Sequence, residues 1–502
     1  MDGLIMDKEP NESAAAKENV PREAGTQPVQ NEDIPQGNAP VYYASPAPAP
    51  YFASESERRV FKTAGILSFI PAYLYVRMLL GDYREAWFPA CVFAFTLLFV
   101  AGVEGFAYAL GLSYDILKKR RAGAADALIL GISVLAQGAV LAFWVEPLLE
   151  VTTPMFLMWH VSAVLYVVVR CDVLTEGRPG PWIVWDLVRG FFYYPFVNFL
   201  LRARSVYSRP LQTQDPGQKA EQKKKTARTV RTVLGSAAAA LILILIVWNE
   251  LAEVSDSFAA IAPDLGSWLR SLFGEDIREW LLIHLALILP LSIPVGAYLF
   301  GLTGGSLRET LRRTALPDVQ ARLRKTRRLP ELSAWIVLGL LIAVYALFFG
   351  VALSEFIAHG TRFTAHEASV FAVKGFWQLI RIILLNIALL AAFSLFGQPL
   401  WEKKSTRVLV TLLFVCALAF AGLAAVKLYG VYIGMFGLTA RRLISGWALS
   451  VLIVLCGLLL VRFFRKIPAV RIALLYAMIS YMAVIAAAQW LLPHAVDKLP
   501  LA

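Results

Sequence analysis

The chain has 502 residues, of which 58% are hydrophobic and only 17% charged, and a formal net charge of +12. A globular domain carries about a quarter charged residues, so these proportions exclude an ordinary soluble fold. The positive balance is not a nucleic-acid footprint, because the lysines and arginines sit in short connections beside apolar runs.

Residues 1–57 are polar, net acidic and rich in Pro, Ala, Glu and Asn. Such a stretch buries too little apolar surface to offset its ordering entropy and reads as a disordered cytoplasmic tail. Its Pro-rich part, 39–50, favours polyproline II and offers either a docking peptide for a protein partner or a plain spacer. The first apolar run begins near residue 63, behind this tail, which is not the layout of a cleavable signal peptide.

From there about eleven apolar runs approach the ~20 residues that a spanning helix needs. They fall at 61–80, 86–112, 124–146, 152–172, 232–250, 281–303, 332–356, 376–396, 408–429, 443–463 and 470–492. The fold class expected is an all-α polytopic transmembrane bundle within 58–494, followed by a short external tail at 495–502. Basic connections follow every second run: Lys118–Arg121, the loop 202–231, the loop 306–330, Lys403–Arg407 and Arg465–Lys466. The alternate connections are acidic or mixed. Cationic loops face the cytosol, so the N-terminus is expected inside and the C-terminus outside.

Two segments stand apart from the crossings. Residues 181–201 are apolar but broken by Asp186, Arg189 and Pro195, and are dense in Trp, Tyr and Phe. They read as a helix along the cytoplasmic interface, with a re-entrant element as the alternative. Residues 251–280 carry apolar side chains at helical spacing and read as an external amphipathic segment. The polar stretch 358–374 reads as an external loop. Membrane lipids are the expected partners, and Lys223-Lys224-Lys225 favours anionic ones.

Polar groups at membrane depth are where chemistry is sought, because burying them is costly. Glu104, between Gly102 and Gly105, reads as a proton- or cation-coupling carboxylate or as a structural hydrogen-bond acceptor. His160 and His284 lack a partner at i+3 or i+4, and Cys91, Cys171, Cys416 and Cys456 form no C-x-x-C, so no metal site or disulfide framework is expected. Lys374, Gln378 and Arg381 share one helix face.

The sharpest local pattern is the stretch 429–442, YGVYIGMFGLTARR. Its glycines permit a tight turn, Thr439 is placed to cap the next helix, and Arg441 and Arg442 fall on the outer side, against the positive-inside trend. A displaced arginine pair calls for a carboxylate, a lipid phosphate or an anionic substrate. The tetrapeptide Phe436-Gly437-Leu438-Thr439 also occurs as Phe300-Gly301-Leu302-Thr303, which raises an inverted repeat or coincidence.

Tyr432, Phe436, Gly437, Leu438, Thr439 and Arg442 resemble the Y-x-x-x-F-G-L-T-x-x-R signature of a bacterial polytopic membrane family of unknown function. Gly375-Phe376-Trp377-Gln378-Leu379, with Asn386 beyond, is similar to that family's G-F-x-E-L stretch, with Gln378 in place of the acid. The resemblance implies a multi-pass architecture in a bacterial cell membrane and assigns no activity.

There is no P-loop, no H-E-x-x-H and no G-x-S-x-G in a fitting context, so neither a cofactor nor catalytic residues are indicated. The sequence therefore points to a transporter-like or lipid- and anion-handling protein. Its site would comprise Arg442, Arg441, Thr439, Tyr432, Gln378 and Arg381 at the outer ends of the eighth to tenth runs. A non-transporting sensor or scaffold is the alternative, and a membrane-embedded transferase the weaker one.

Overall fold

A computed structural model describes residues 52–81, 84–119, 123–208, 283–313, 330–359, 365–397 and 400–496. Their regular structure is helix, with no strand among the described residues. Lipid offers a backbone no hydrogen bonds, and a helix supplies its own.

The first crossing consists of α1 (Glu55–Leu67) and α2 (Phe69–Leu80). Ser54 caps α1 by accepting the Glu57 N–H at 3.0 Å. Next come α3 (Phe88–Ala109), short α4 (Tyr114–Lys119), α5 (Ala124–Phe143) and α6 (Thr152–Arg170). Short pieces then follow: α7 (Ile183–Val188), a π-helical turn at Arg189–Tyr193, α8 (Tyr194–Val197) and α9 (Leu201–Val206). Beyond residue 283 lie α10 (Leu289–Arg312), α11 (Glu331–His359), α12 (Ala365–Phe396), α13 (Lys404–Ala425), α14 (Ala440–Phe464) and α15 (Ala469–Val496). Among the described residues, ten helices are long and apolar enough to cross a membrane.

The run at 232–250, the amphipathic segment at 251–280, the lysine triplet at 223–225 and residues 1–51 lie outside the described residues. Three boundaries differ from the sequence reading. Helix α1 begins at Glu55, inside the expected tail. Helix α10 continues to Arg312 through part of the expected 306–330 loop. Helices α11 and α12 extend to His359 and back to Ala365, so most of the expected 358–374 loop is helical. Hydropathy marks where lipid ends, whereas a helix keeps its hydrogen bonds beyond that level.

Register fixes the direction of the helices. Three contacts join α5 and its C-terminal end to α15, each across 345 positions. At one end Arg471 Nε lies 2.9 Å from Asp126 Oδ2. In the middle the Ser133 hydroxyl points at Met478 Sδ, 3.9 Å away. At the other end Gln489 Nε2 donates to the Trp144 carbonyl at 2.7 Å. A constant offset means parallel helices. The ends of α6 and α10 are parallel as well: the Thr310 hydroxyl donates to the Cys171 carbonyl and Arg313 Nη1 to the Leu174 carbonyl, both across 139 positions. By contrast α10 is antiparallel to α1 and α2, since Phe300 meets Phe61 and His284 meets Tyr73.

Large apolar side chains such as Ile132, Leu340, Leu347 and Leu384 point outward, which suits a lipid boundary and would be costly against water. The segment from α7 to α9 exposes Trp185, Val188, Phe192, Phe196 and Leu200 while Asp186 and Tyr194 are buried. Asp186 accepts from the Thr175 N–H at 3.1 Å and from its hydroxyl at 2.5 Å. Burial pushes its carboxyl above the usual range, and the Thr175 bonds oppose that shift. On α10, a Cβ at Gly301 or Gly305 would overlap Pro195 or Asn198, so α8 reaches this helix only across glycine.

Asp126 is fully buried, while the Arg471 side chain is 32% exposed. Asp126→Ala is therefore expected to cost about 2–3 kcal/mol, somewhat less than breaking a wholly buried pair. Thermal unfolding of the purified protein in detergent measures it, and an unchanged midpoint would show that the pair does not hold α5 to α15.

Candidate functional site

The stretch singled out in the sequence is a break between two crossings. Helix α13 continues as a π-helix over Val426–Ile433 and ends in a single turn, Gly434–Phe436. Long π-helical runs are rare and often mark functional positions. Gly437 has φ 73°, a conformation costly for any residue with a Cβ. Thr439 is extended and its hydroxyl accepts from the Arg442 N–H, so it caps α14 as its position suggested. The same four residues in their earlier occurrence, 300–303, lie inside α10. The two copies therefore differ in conformation, and the tetrapeptide is not a structural repeat.

Arg442 turns back on this break. Its Nη1 donates to the Phe436 carbonyl at 2.6 Å and to the Gly437 carbonyl. Its guanidinium lies 4.1 Å from the centre of the Tyr432 ring, a cation–π contact. Carbonyls and a ring fix the group without cancelling its charge. Arg441 points away, with its side chain 74% exposed and its Nε 3.7 Å from Glu150 Oε2. Glu150 is itself 61% exposed, on the 3-10 turn Glu146–Val151 that links α5 to α6. So loose and open a pair contributes little to stability.

The remaining predicted residues sit on α12, which packs against the π-helical segment. Gln378 and Arg381 are exposed there. Among the described residues, no hydrogen bond or ion pair joins them to Tyr432, Thr439, Arg441 or Arg442. Asn386 faces inward and accepts the Tyr345 hydroxyl at 2.8 Å. The structure thus assembles Tyr432, Thr439 and Arg442, sets Arg441 beside Glu150, and leaves Gln378 and Arg381 on a neighbouring helix.

Glu104 lies at the far end of the same bundle, where its carboxylate is held on both oxygens. Oε1 accepts the hydroxyls of Tyr166 at 2.6 Å and Tyr114 at 2.7 Å, and Oε2 accepts Arg170 Nε at 2.8 Å. Arg170 also donates to the Leu112 carbonyl at 2.9 Å and stacks over the Tyr114 ring. Burial and the bond to Glu104 push the Tyr114 phenol up to about 12. Arg170 and Tyr166 were not recognised in the sequence. Their separation of four residues on α6 sets them on one face, and a helix ending in an otherwise unexplained arginine was the available signal.

His160 bonds the Tyr75 hydroxyl and the Phe156 carbonyl, each at 2.7 Å. The adjoining cavity, about 110 Å³, is lined mainly by aromatic and aliphatic side chains. A larger apolar groove of about 570 Å³ lies between the first crossing, α3 and α10, and passes Gly102 and Gly105. Among the described residues no group of three or more His, Cys, Asp or Glu could hold a metal ion.

The described residues form helices and no strand, ten of those helices have membrane-spanning length and apolarity, and the protein is a multi-pass integral membrane protein. Residues 127–493 match the domain of unknown function DUF4153, and the chain belongs to that family. No curated protein and no solved structure matches it.

Arg170 is 1% exposed and Glu104 31%. Glu104→Gln strands a buried guanidinium and is expected to destabilise the protein by about 3 kcal/mol. Glu104→Gln combined with Arg170→Met should recover most of that loss, since it removes both charges. Thermal unfolding of the three proteins in nanodiscs provides the comparison; a double variant no more stable than the single one would refute the pairing.

Proposed function

We propose that this protein handles an anionic group, such as a lipid headgroup, at the outer ends of α12, α13 and α14 in a bacterial cell membrane. The observation that carries this reading is the division of labour between adjacent arginines. Arg442 spends its donors on the carbonyls that shape the break, while Arg441 presents an open guanidinium beside it. A rigid, uncancelled positive charge at a helix start suits phosphate or carboxylate. Gln378 and Arg381, on the helix packed against the same break, would extend the contact.

The sidedness rests on eleven crossings, with the N-terminus cytoplasmic and the C-terminus external. Its support is directional. Helices α6 and α10 run the same way, as they would if the chain crossed once more between them. Ser208 lies by Arg58 at the start of α1, and His284 lies by Tyr73 toward the end of α2. These contacts fit an odd number of crossings between residues 208 and 283, and the apolar run at 232–250 has the length for one. Parallel α5 and α15 fit the same odd count.

A second reading, a non-transporting sensor or scaffold, draws on Glu104. A coupling carboxylate needs freedom to exchange protons or cations, whereas this one is fixed by Arg170, Tyr166 and Tyr114.

Two experiments test these readings. In a cysteine-free background, a cysteine at position 264 should react with a membrane-impermeant maleimide applied to intact cells, and one at 224 only after lysis; reaction at 224 in intact cells would overturn the topology. In nanodiscs containing phosphatidylglycerol, Arg441→Gln should weaken lipid retention in native mass spectrometry about tenfold, the value of one charge-assisted contact. Unchanged retention would leave the scaffold reading in its place.

A further inference from the structure

The opposite face of the bundle holds a cavity of about 840 Å³, far from the outer arginines. Three chain segments meet around it: the turn before α7, the connection into α13, and the turn between α14 and α15. They bring Arg178, Arg407, Arg462, Arg465, Lys466 and Arg471 to one concavity, against the carboxylates Glu176 and Glu402.

Three of the six cations are fixed. Arg407 Nε donates to the Trp401 carbonyl at 2.8 Å, and Arg462 Nη1 to the Ile467 carbonyl at 2.9 Å. Arg462 also lies over the Trp401 ring, 5.8 Å from its centre. Arg471 is held by Asp126. The other three, Arg178, Arg465 and Lys466, are exposed at the rim. The first turn of α15, at Val470 and Arg471, lines the wall, so the N-terminal end of a long helix adds its partial positive charge. A basic loop facing water would scatter its charges; here segments remote in sequence aim six cations into one volume, where carbonyls orient Arg407 and Arg462 and Glu176, near Arg462 and Arg178, offsets only part of the positive charge.

We infer that this cavity binds a phosphate-bearing anion carrying more than one negative charge. By the proposed topology it opens on the cytoplasmic side, at the level of the inner leaflet. Both an anionic lipid headgroup and a free polyphosphate present that chemistry. A bound anion would link the loop before α7 to α13, α14 and α15, across the seam that Asp126 and Arg471 already join. The site is independent of the outer one, because none of its residues contributes there.

The test uses the full chain in nanodiscs, with tripolyphosphate as the soluble probe and phosphatidylglycerol or cardiolipin as the lipid probe. Arg465→Gln with Lys466→Gln removes two rim charges that hold no described partner, so folding should be retained, and a matching unfolding midpoint checks it. Lys118→Gln with Lys119→Gln, on another basic connection of the same face, is the control. The expected result is binding weakened about tenfold or more by the rim pair and less than about twofold by the control. Loss confined to tripolyphosphate names a soluble ligand, and loss confined to native mass spectrometry of lipids names a headgroup; either supports the site. Equal effects of the two variants, or no binding of either probe, would overturn it.

Discussion

A charge carried to the hydrocarbon must bring its partner along, because lipid supplies neither hydrogen bonds nor counterions. Asp126 is fully buried at the start of α5, and what compensates it is Arg471, contributed by the last described helix. The rest of the assembly depends on that meeting. It fixes α15 beside α5, and their constant register carries the contact from Asp126 past Ser133 to Trp144. Without it the two helices would share mainly apolar surface, and apolar side chains gain little from meeting each other rather than lipid tails.

Glu104 and Arg170 repeat the device between α3 and α6. There two tyrosines complete the carboxylate's shell, and the arginine also satisfies a carbonyl at the end of α3. Close packing supplies what polar pairs do not. Phe106 and Phe300 stack, and Phe61 meets both edge-on, where the first crossing meets α3 and α10. In the later helices Tyr345, Phe349 and Phe420 play the same part, and Tyr345 spends its hydroxyl on Asn386.

Much of this was legible in the sequence, since apolar length and helical backbone are the same requirement in lipid. The runs at 124–146, 152–172 and 443–463 became α5, α6 and α14 with small shifts at their ends. Thr439 could be read as a cap because capping needs only the residue type and its place before a helix. Partnership could not be read. Nothing local to Asp126 points to Arg471, and nothing near Arg441 points to Glu150, because helix packing alone brings them together. The cationic cavity was hidden for the same reason: its arginines are dispersed among loops that, taken singly, look like ordinary orientation signals.

The partner chosen by each arginine separates architecture from recognition. Arg170 and Arg471 answer to carboxylates, so each pair is close to neutral, and both join helices distant in sequence. Arg442, Arg407 and Arg462 answer to carbonyls, which orient a guanidinium yet leave its charge intact. Each of these three also follows or precedes a helix break, where unpaired carbonyls are available. All three lie at the faces of the bundle, next to exposed cations: Arg441 on one side, Arg465 and Lys466 on the other. A fixed charge beside an exposed one is the arrangement the proposed anion sites call for, because the fixed member incurs no further entropy cost on binding while the exposed member can adjust to a ligand. Among the groups described, buried Asp126 and Arg170 each meet an opposite charge, while the exposed cations Arg441, Arg465 and Lys466 lie where water or an anion can reach them.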